Sequence, residues 1–294
     1  LWVPGEDTPV MENPNASVEG DPYFVHGSGY SDDLLTHLRF FGDDRIILTY
    51  GNEIRWMEIG ARNDGNLGWA NGLGEEIKPT DEYATQIEIT DIKSIDCWGT
   101  SCVFTSSIAE QYGSDRLFTI SNSLNIEQVW GWSTDEIWSE YFHIYDVTIG
   151  TDGDHQLTDA INYYISGMVE AGNFSSSSEV LDYLGCSNYS NNIGEKTGFV
   201  VSFDSDFNIN WASCSTSGEV YPSELTSNNH GDIAMIGRYE NSVYWGNQET
   251  QGVGEGFILL LNDSNGEINH LWEIGDRVVA DAIIDGDEAS IGWI

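Results

Sequence analysis

The 294 residues exceed one typical small domain, and 40% hydrophobic with 12% aromatic content supplies enough apolar material for a core, which excludes a disordered acidic tail. Ten basic residues face 49 acidic ones, a formal net charge of −39. Such a surface repels nucleic-acid phosphates and anionic lipid headgroups, so neither is an expected partner, whereas cations, basic proteins, neutral glycans and salt-screened copies of the chain fit it.

In chain order, residues 1–33 come first, with apolar segments at Leu1-Trp2-Val3 and Tyr23-Phe24-Val25-His26-Gly27. From residue 34 onward two kinds of strand pair alternate. The first kind is two apolar runs about a tight turn, the second run closing on a small residue; the other is a hairpin ending near Trp. Residues 34–73 hold His37 to Gly51, turning at Gly42-Asp43-Asp44, then Arg55 to Trp69, turning at Asn63-Asp64-Gly65-Asn66. Residues 92–133 hold Ser94 to Ser107, turning at Gly99-Thr100, then Phe118 to Trp130. Residues 142–214 hold His143 to Gly167 and Gly198 to Trp211, separated by a Ser/Asn-rich insertion at about 171–195 in which Ser177 to Leu184 is the one short helical segment. Residues 222–274 hold Ser223 to Gly237, turning at Asn229-His230-Gly231, then Gly256 to Trp272, and residues 279–294 hold Ala280 to Gly292, turning at Asp285-Gly286.

Each period of about sixty residues thus carries four short strands, the content of one propeller blade. Four Trp-type hairpins and five of the other kind leave one hairpin wanting, which the apolar segments of residues 1–33 supply. The expected fold is all-β: a single β-propeller domain over residues 1–294, of five four-stranded blades, the last closed by N- and C-terminal strands so that no edge stays open. The alternatives are a larger array, or terminal strands donated to a neighbouring copy to build a filament.

Phe199 to Trp211 with Gly231 to Gly237, Phe257 to Trp272 with Asp285 to Gly292 and, more loosely, Ile54 to Trp69 resemble the secreted β-propeller repeats of bacterial and archaeal surface proteins. That family's units run Phe-Val strand, Asp-x-x-Gly-Asn turn, Leu-x-Trp strand, a second such turn and a Val-Tyr-Val-Thr-Gly strand. The resemblance implies the fold and an extracellular setting; it carries no catalytic signature.

The four cysteines allow three pairings, and their local grouping suits Cys97 with Cys102 and Cys186 with Cys214, as expected of an oxidising compartment. No histidine pair stands at zinc-ligand spacing near them. Asn-x-Ser sequons at Asn15, Asn173, Asn188 and Asn262 point to glycosylation outside the cytosol. The absence of an initiator Met, a signal-like stretch and a bilayer-length apolar run gives the expectation of a processed or excised chain whose membrane anchor, if any, lies outside it.

The sequence holds no His-Glu-x-x-His, Gly-x-Ser-x-Gly, phosphate-binding loop or dinucleotide fingerprint, so function rests on weaker patterns. Acidic turns at Asp204-Ser-Asp206, Asn262 to Glu267, Thr151 to Asp154 and Asp285 to Glu288 carry the hard oxygens that Ca²⁺ takes. Hairpin turns demand the same residues, and none reproduces a full Ca²⁺ loop, so the turn role takes precedence. Innermost strands preceding the first-type turns carry Asp96, Asp146, Glu224 and Asp281, with Arg39 from the first repeat, an acidic ring at the mouth of a central channel. Converging carboxylates suit a bound cation or water or, by fold analogy, glycoside chemistry. Trp130, Trp132, Trp138, Tyr141 and Tyr145 suit blade packing before sugar stacking, and the six histidines form no ligand set. The leading expectation is a glycosylated, non-enzymatic extracellular or cell-surface module, structural, adhesive or filament-forming, whose partners are other copies or glycans; the alternative is a glycoside-acting enzyme.

Overall fold

The computed structural model describes residues 35–42, 45–50, 53–61, 67–69, 75–77, 89–108, 115–130, 142–151, 161–170, 181–186, 196–228, 232–250, 256–275, 279–285 and 288–293. The chain divides into two compact units, residues 1–78 and 79–294. Within the described residues the protein is nearly all-β, with antiparallel sheets.

The first unit is one meander: β1 (Leu35–Phe41), β2 (Arg45–Tyr50), β3 (Glu53–Ala61) and β4 (Leu67–Trp69) pair in sequence, and the short β5 (Glu75–Glu76) returns to β3. Ile46, Leu48 and Met57 form its buried face with Leu38 packed against them.

The second unit repeats that meander. Strands β6 (Ile89–Trp98), β7 (Ser101–Ile108), β8 (Asp115–Ile120) and β9 (Ile126–Trp130) form one sheet. Then come β10 (Phe142–Thr151), β11 (Ile161–Glu170), β12 (Lys196–Phe203) and β13 (Ile209–Cys214), and after them β14 (Glu219–Ser227), β15 (Asp232–Glu240), β18 (Gly256–Asn262) and β19 (Ile268–Gly275). A single parallel pairing, Lys196 with Glu219, joins these two meanders. A small hairpin of β16 (Tyr244–Trp245) and β17 (Gln248–Glu249) interrupts the last one, and β20 (Val279–Asp285) pairs with β21 (Glu288–Trp293). The hairpins expected from the turn residues are present, with strands reaching a few residues beyond the expected limits. Of the expected helical segment Ser177 to Leu184, residues 181–183 are helical and residues 177–180 lie outside the described residues.

Within the second unit, successive meanders stack face to face. Val103 and Leu117 of the first share a cluster with Ile144, Ile165, Phe199 and Val201 of the second. Tyr164 and Val200 on the opposite face of the second pack with Val220, Met235, Leu259 and Leu261 of the third. Being covered on both sides, β12 reads as a near-continuous apolar run with seven of its eight residues buried, not as an alternating strand. The first strands also run side by side, β6 against β10, β10 against β14 and β14 against β20.

An irregularity recurs in the first strand of every repeat. Pairing skips Thr36, Lys93, Tyr145, Ser223 and Ala280, a β-bulge after which His37, Ser94, Asp146, Glu224 and Asp281 resume the ladder. In β11 and β15 the residue opposite the one before the bulge is glycine, Gly167 and Gly237, and the close approach there explains it. A Cβ on Gly167 would lie 2.1 Å from the His143 carbonyl oxygen and 2.3 Å from Phe199, and one on Gly237 would lie 2.5 Å from the Tyr221 carbonyl oxygen. Pro222 sits at the third meander's bulge, where a strand tolerates a missing N–H.

Trp211 on β13 is held by the next meander. Its indole N–H donates to the Asp263 carbonyl oxygen at 2.6 Å, and its ring lies where a Cβ on Gly266 (φ 69°) would fall. Trp211→Phe should therefore lower the unfolding free energy by about 1 kcal/mol, the usual worth of one such bond, as read by denaturant titration.

Candidate functional site

The first strands of the second unit gather its carboxylates. In an ordinary sheet an outer strand leaves a row of backbone N–H groups open. Along β10, the N–H groups of Ile144, Val147 and Ile149 go instead to side-chain oxygens: Asp115 at 2.7 Å, Asp146 at 2.8 Å and Asp96 at 2.9 Å. Asp146 also accepts a hydrogen bond from Ser94 Oγ on β6 and, at 2.5 Å, from the N–H of Leu225 on β14, so one carboxylate bonds three successive meanders. Asp96 accepts in addition from Thr148 Oγ1 at 3.1 Å and from the Cys97 N–H at 2.9 Å. Ser227 Oγ donates to the Ile149 carbonyl oxygen at 2.9 Å.

Burial sets the electrostatics. Desolvation raises the Asp146 pKa to about 6, against hydrogen bonds from Ser94, Leu225 and Val147 that stabilise the ionised form, with a smaller upward push from Asp96. The half-buried His143 is held below its ordinary pKa by desolvation, only partly offset by the Asp115 charge.

The bulge residues form a second polar group. Lys93 Nζ pairs with buried Asp115 at 2.6 Å and lies 5.9 Å from the centre of the Tyr145 ring. His143 stands beside Tyr145, and Lys196 Nζ reaches Glu170 at 3.5 Å while lying 4.7 Å over the Tyr221 ring. Two of the chain's three lysines thus sit where the first strands begin. Asp115 also accepts from Ser107 Oγ at 2.8 Å, so its charge is matched by Lys93 and its oxygens by two further donors.

Of the expected acidic ring, Asp96 and Asp146 come together. Glu224 lies next to Leu225 in β14, and Asp281 takes the corresponding post-bulge position in β20, its side chain outside the described residues. The register corrects the expected set. Asp146, Glu224 and Asp281 are equivalent positions, whereas Asp96 and Arg39 stand two residues further along their strands, past Ser94 and His37. Counted from the skipped residue, Asp96 and Arg39 come third and Asp146, Glu224 and Asp281 first, so the five do not occupy one equivalent position. Asp115, Ser94 and Lys93 escaped sequence reasoning; the one available signal was the out-of-phase polar residue inside an apolar run.

The acidic turns that fall on described residues bond to themselves. Asp204 accepts from the N–H groups of Asp206 and Asn208 and from the Asn208 side chain, which with the backbone bonds holds its pKa below the ordinary value. Asn262 Oδ1 accepts from the Ser264 N–H and hydroxyl. Among the described residues no three His, Cys, Asp or Glu side chains converge to hold a metal ion. Residues 152–154 and 286–287 of the other two turns lie outside the described residues, as do Trp132, Trp138, Tyr141, the side chain of Trp130 and the sequons at Asn15, Asn173 and Asn188.

Disulfides join Cys97 to Cys102 across the β6–β7 turn and Cys186 to Cys214, tying the insertion to β13. Among the described residues no helix is long and apolar enough to cross a membrane.

Fold and site together define a disulfide-bearing, acidic protein of repeated antiparallel meanders in which carboxylates near the first strands bond backbone amides. No family model matches the chain, and no curated protein matches it. Among solved structures it is similar to a variant of the Synechocystis apocarotenoid oxygenase, at 10% identity and a TM-score of 0.33, covering 82% of this chain and 48% of that one. It is also similar to the CNH domain of AfRom2, at 7% identity and a TM-score of 0.28, covering 87% and 93%. The chain thus spans about half the length of the oxygenase. Likenesses this distant carry no statement about activity.

Proposed function

We propose that the protein is a non-enzymatic extracellular or cell-surface module, structural, adhesive or filament-forming, whose meanders are the blades of a single five-bladed β-propeller closed by N- and C-terminal strands. The observation that carries this reading is the occupation of Asp96 and Asp146. Their oxygens accept hydrogen bonds from neighbouring strands, and Asp146 is withdrawn from water. A glycosidase needs a pair of carboxyl groups with room between them for a sugar and, in inverting enzymes, a water. The raised Asp146 pKa would suit a general acid, which favours the enzyme as the second reading, but its bonds to Ser94, Val147 and Leu225 leave it no access to substrate.

Two disulfides support an oxidising compartment. The partners are other copies of the chain or neutral glycans, consistent with a charge of −39 that disfavours nucleic acid and direct membrane insertion. The four sequons are the proposed glycosylation sites, and Ca²⁺ at the acidic turns is not required by the hydrogen bonding of Asp204 or Asn262. The test is incubation with a panel of neutral and acidic polysaccharides, with reducing ends and retention both measured. The expected result is retention on a glycan, or self-association by sedimentation, without release of reducing ends. Release that Asp146→Asn abolishes in a still-folded protein would overturn the reading.

A further inference from the structure

The bulges of the second unit bring particular side chains to the surface. Lys93 and Tyr145, skipped by the ladder, are half-buried and Ser223 is exposed, whereas the residues before them, Ile92, Ile144 and Pro222, are buried. The bonds from Ser94 to Asp146 and from Leu225 to Asp146 set the three bulges level along strands that run side by side. Register supplies a second row, in which Glu170 pairs with Lys196 and Lys196 with Glu219 across β11, β12 and β14. The two rows adjoin, since Tyr145 and His143 both feel the charges of Glu170 and Lys196.

We infer that the surface formed by Lys93, His143, Tyr145, Lys196 and Tyr221 is a binding site for a neutral glycan. The inference rests on the functional reading above and names the place where its sugar partner binds. Lys93 is paired with Asp115 and Lys196 with Glu170, and the Tyr221 hydroxyl donates to Glu219 at 2.7 Å. Donors and acceptors are thus held in position by one another, with the charges of both lysines already matched. Burial holds the Tyr145 hydroxyl protonated and the His143 ring below its ordinary pKa, so both are neutral at pH 7.5. Sugar hydroxyls donate and accept at once, and the C–H faces of a sugar ring pack on aromatic rings. The paired lysines and carboxylates answer the first need, Tyr145 and Tyr221 the second. An anionic ligand would have to displace Asp115 and Glu170 from the lysines against the field of a chain of charge −39.

The test titrates the full-length chain, carrying isotopically labelled tyrosine rings, with cellohexaose, mannohexaose and maltohexaose, and with hexagalacturonic acid as the acidic counterpart. Ring signals are assigned by Tyr145→Phe and Tyr221→Phe. A neutral hexamer is expected to shift the Tyr145 and Tyr221 signals while that of exposed Tyr183 stays in place. Tyr221→Ala should weaken its binding about 10-fold with the thermal melt unchanged, the upper end of what one aromatic contact supplies. Binding of a neutral hexamer with both signals unmoved, or with affinity unchanged in Tyr221→Ala, would remove the inference and leave the functional reading. Tighter binding of the acidic hexamer at these rings would do the same. No binding of any neutral hexamer at about 1 mM also overturns the inference, and sedimentation then decides the wider reading: self-association keeps it, and a monomer that retains no polysaccharide removes both.

Discussion

Replacing Asp146 with Ala should lower the unfolding free energy by about 4 kcal/mol at pH 7.5. The substitution strips the acceptor from two buried backbone donors, the N–H groups of Leu225 and Val147, and from Ser94 Oγ. Each orphaned buried donor costs roughly 1–3 kcal/mol, and the Ser94 hydroxyl can turn to another acceptor where the amides cannot. Equilibrium denaturation of the variant against the parent measures the loss, and a change under 1 kcal/mol would contradict the bonding described.

The same residue gives the stability a pH dependence of known sign. Burial raises the Asp146 pKa from 3.8 to about 6, so the folded chain binds this proton more tightly than the unfolded one. That contribution is fully present below 3.8 and is lost as the pH rises through 6. The gap between parent and variant should therefore widen by about 2 kcal/mol on going from pH 7.5 to pH 4.5, at roughly 1.4 kcal/mol per pH unit between the two pKa values. Comparing two proteins that differ at one position cancels the titration of the other carboxylates.

Gly167→Ala is the second large effect, with an expected loss of about 3 kcal/mol. Backbone conformation is not the difficulty; space is. The new methyl group would overlap the His143 carbonyl oxygen and the Phe199 ring. The carbonyl belongs to the bulged strand and cannot rotate away as a side chain could, so the sheet must open at the bulge, at the upper end of the usual cost of overpacking. Gly237→Ala meets the Tyr221 carbonyl and Phe257 in the same way and should behave alike. A thermal melt of either variant unchanged within a degree would show that the bulge gives way more easily than its packing implies.

Much of this architecture is legible in the residues. Turn-forming clusters such as Asp204 to Asn208 and Asn262 to Glu267 fix their hairpins through bonds within five or six residues, so they read directly from sequence. Cys97 and Cys102 face each other across one tight turn and are equally plain. What escapes is whatever depends on distant chain. The Leu225 amide meets Asp146 across 79 residues and the Ile149 amide meets Asp96 across 53, and neither partner announces itself locally. The skipped residues Lys93, Tyr145 and Ser223 break the two-residue alternation by a single step, and Asp96, three residues past its bulge, does not share the position of Asp146, the first residue past its own. The β16–β17 hairpin escapes because its strands are two residues each, held by Val243 to Thr250 bonds and by Gln248 against the Leu271 amide. The likeness between Trp211 and Trp272 was itself misleading, since register sets Trp272 level with Ser213.

A carboxylate spent on backbone amides explains how a chain of this charge keeps acid in its interior. Asp96, Asp115 and Asp146 each accept from backbone amides that an edge strand would otherwise leave open. Amide hydrogen exchange at Leu225, followed residue by residue in the parent and in Asp146→Ala, tests this most directly. The expected result is exchange in the parent as slow as that of the β14–β15 ladder, and at least 100-fold faster exchange at Leu225 in the variant, ahead of any change in that ladder. Fast exchange at Leu225 in the parent, or equal rates in both proteins, would contradict it.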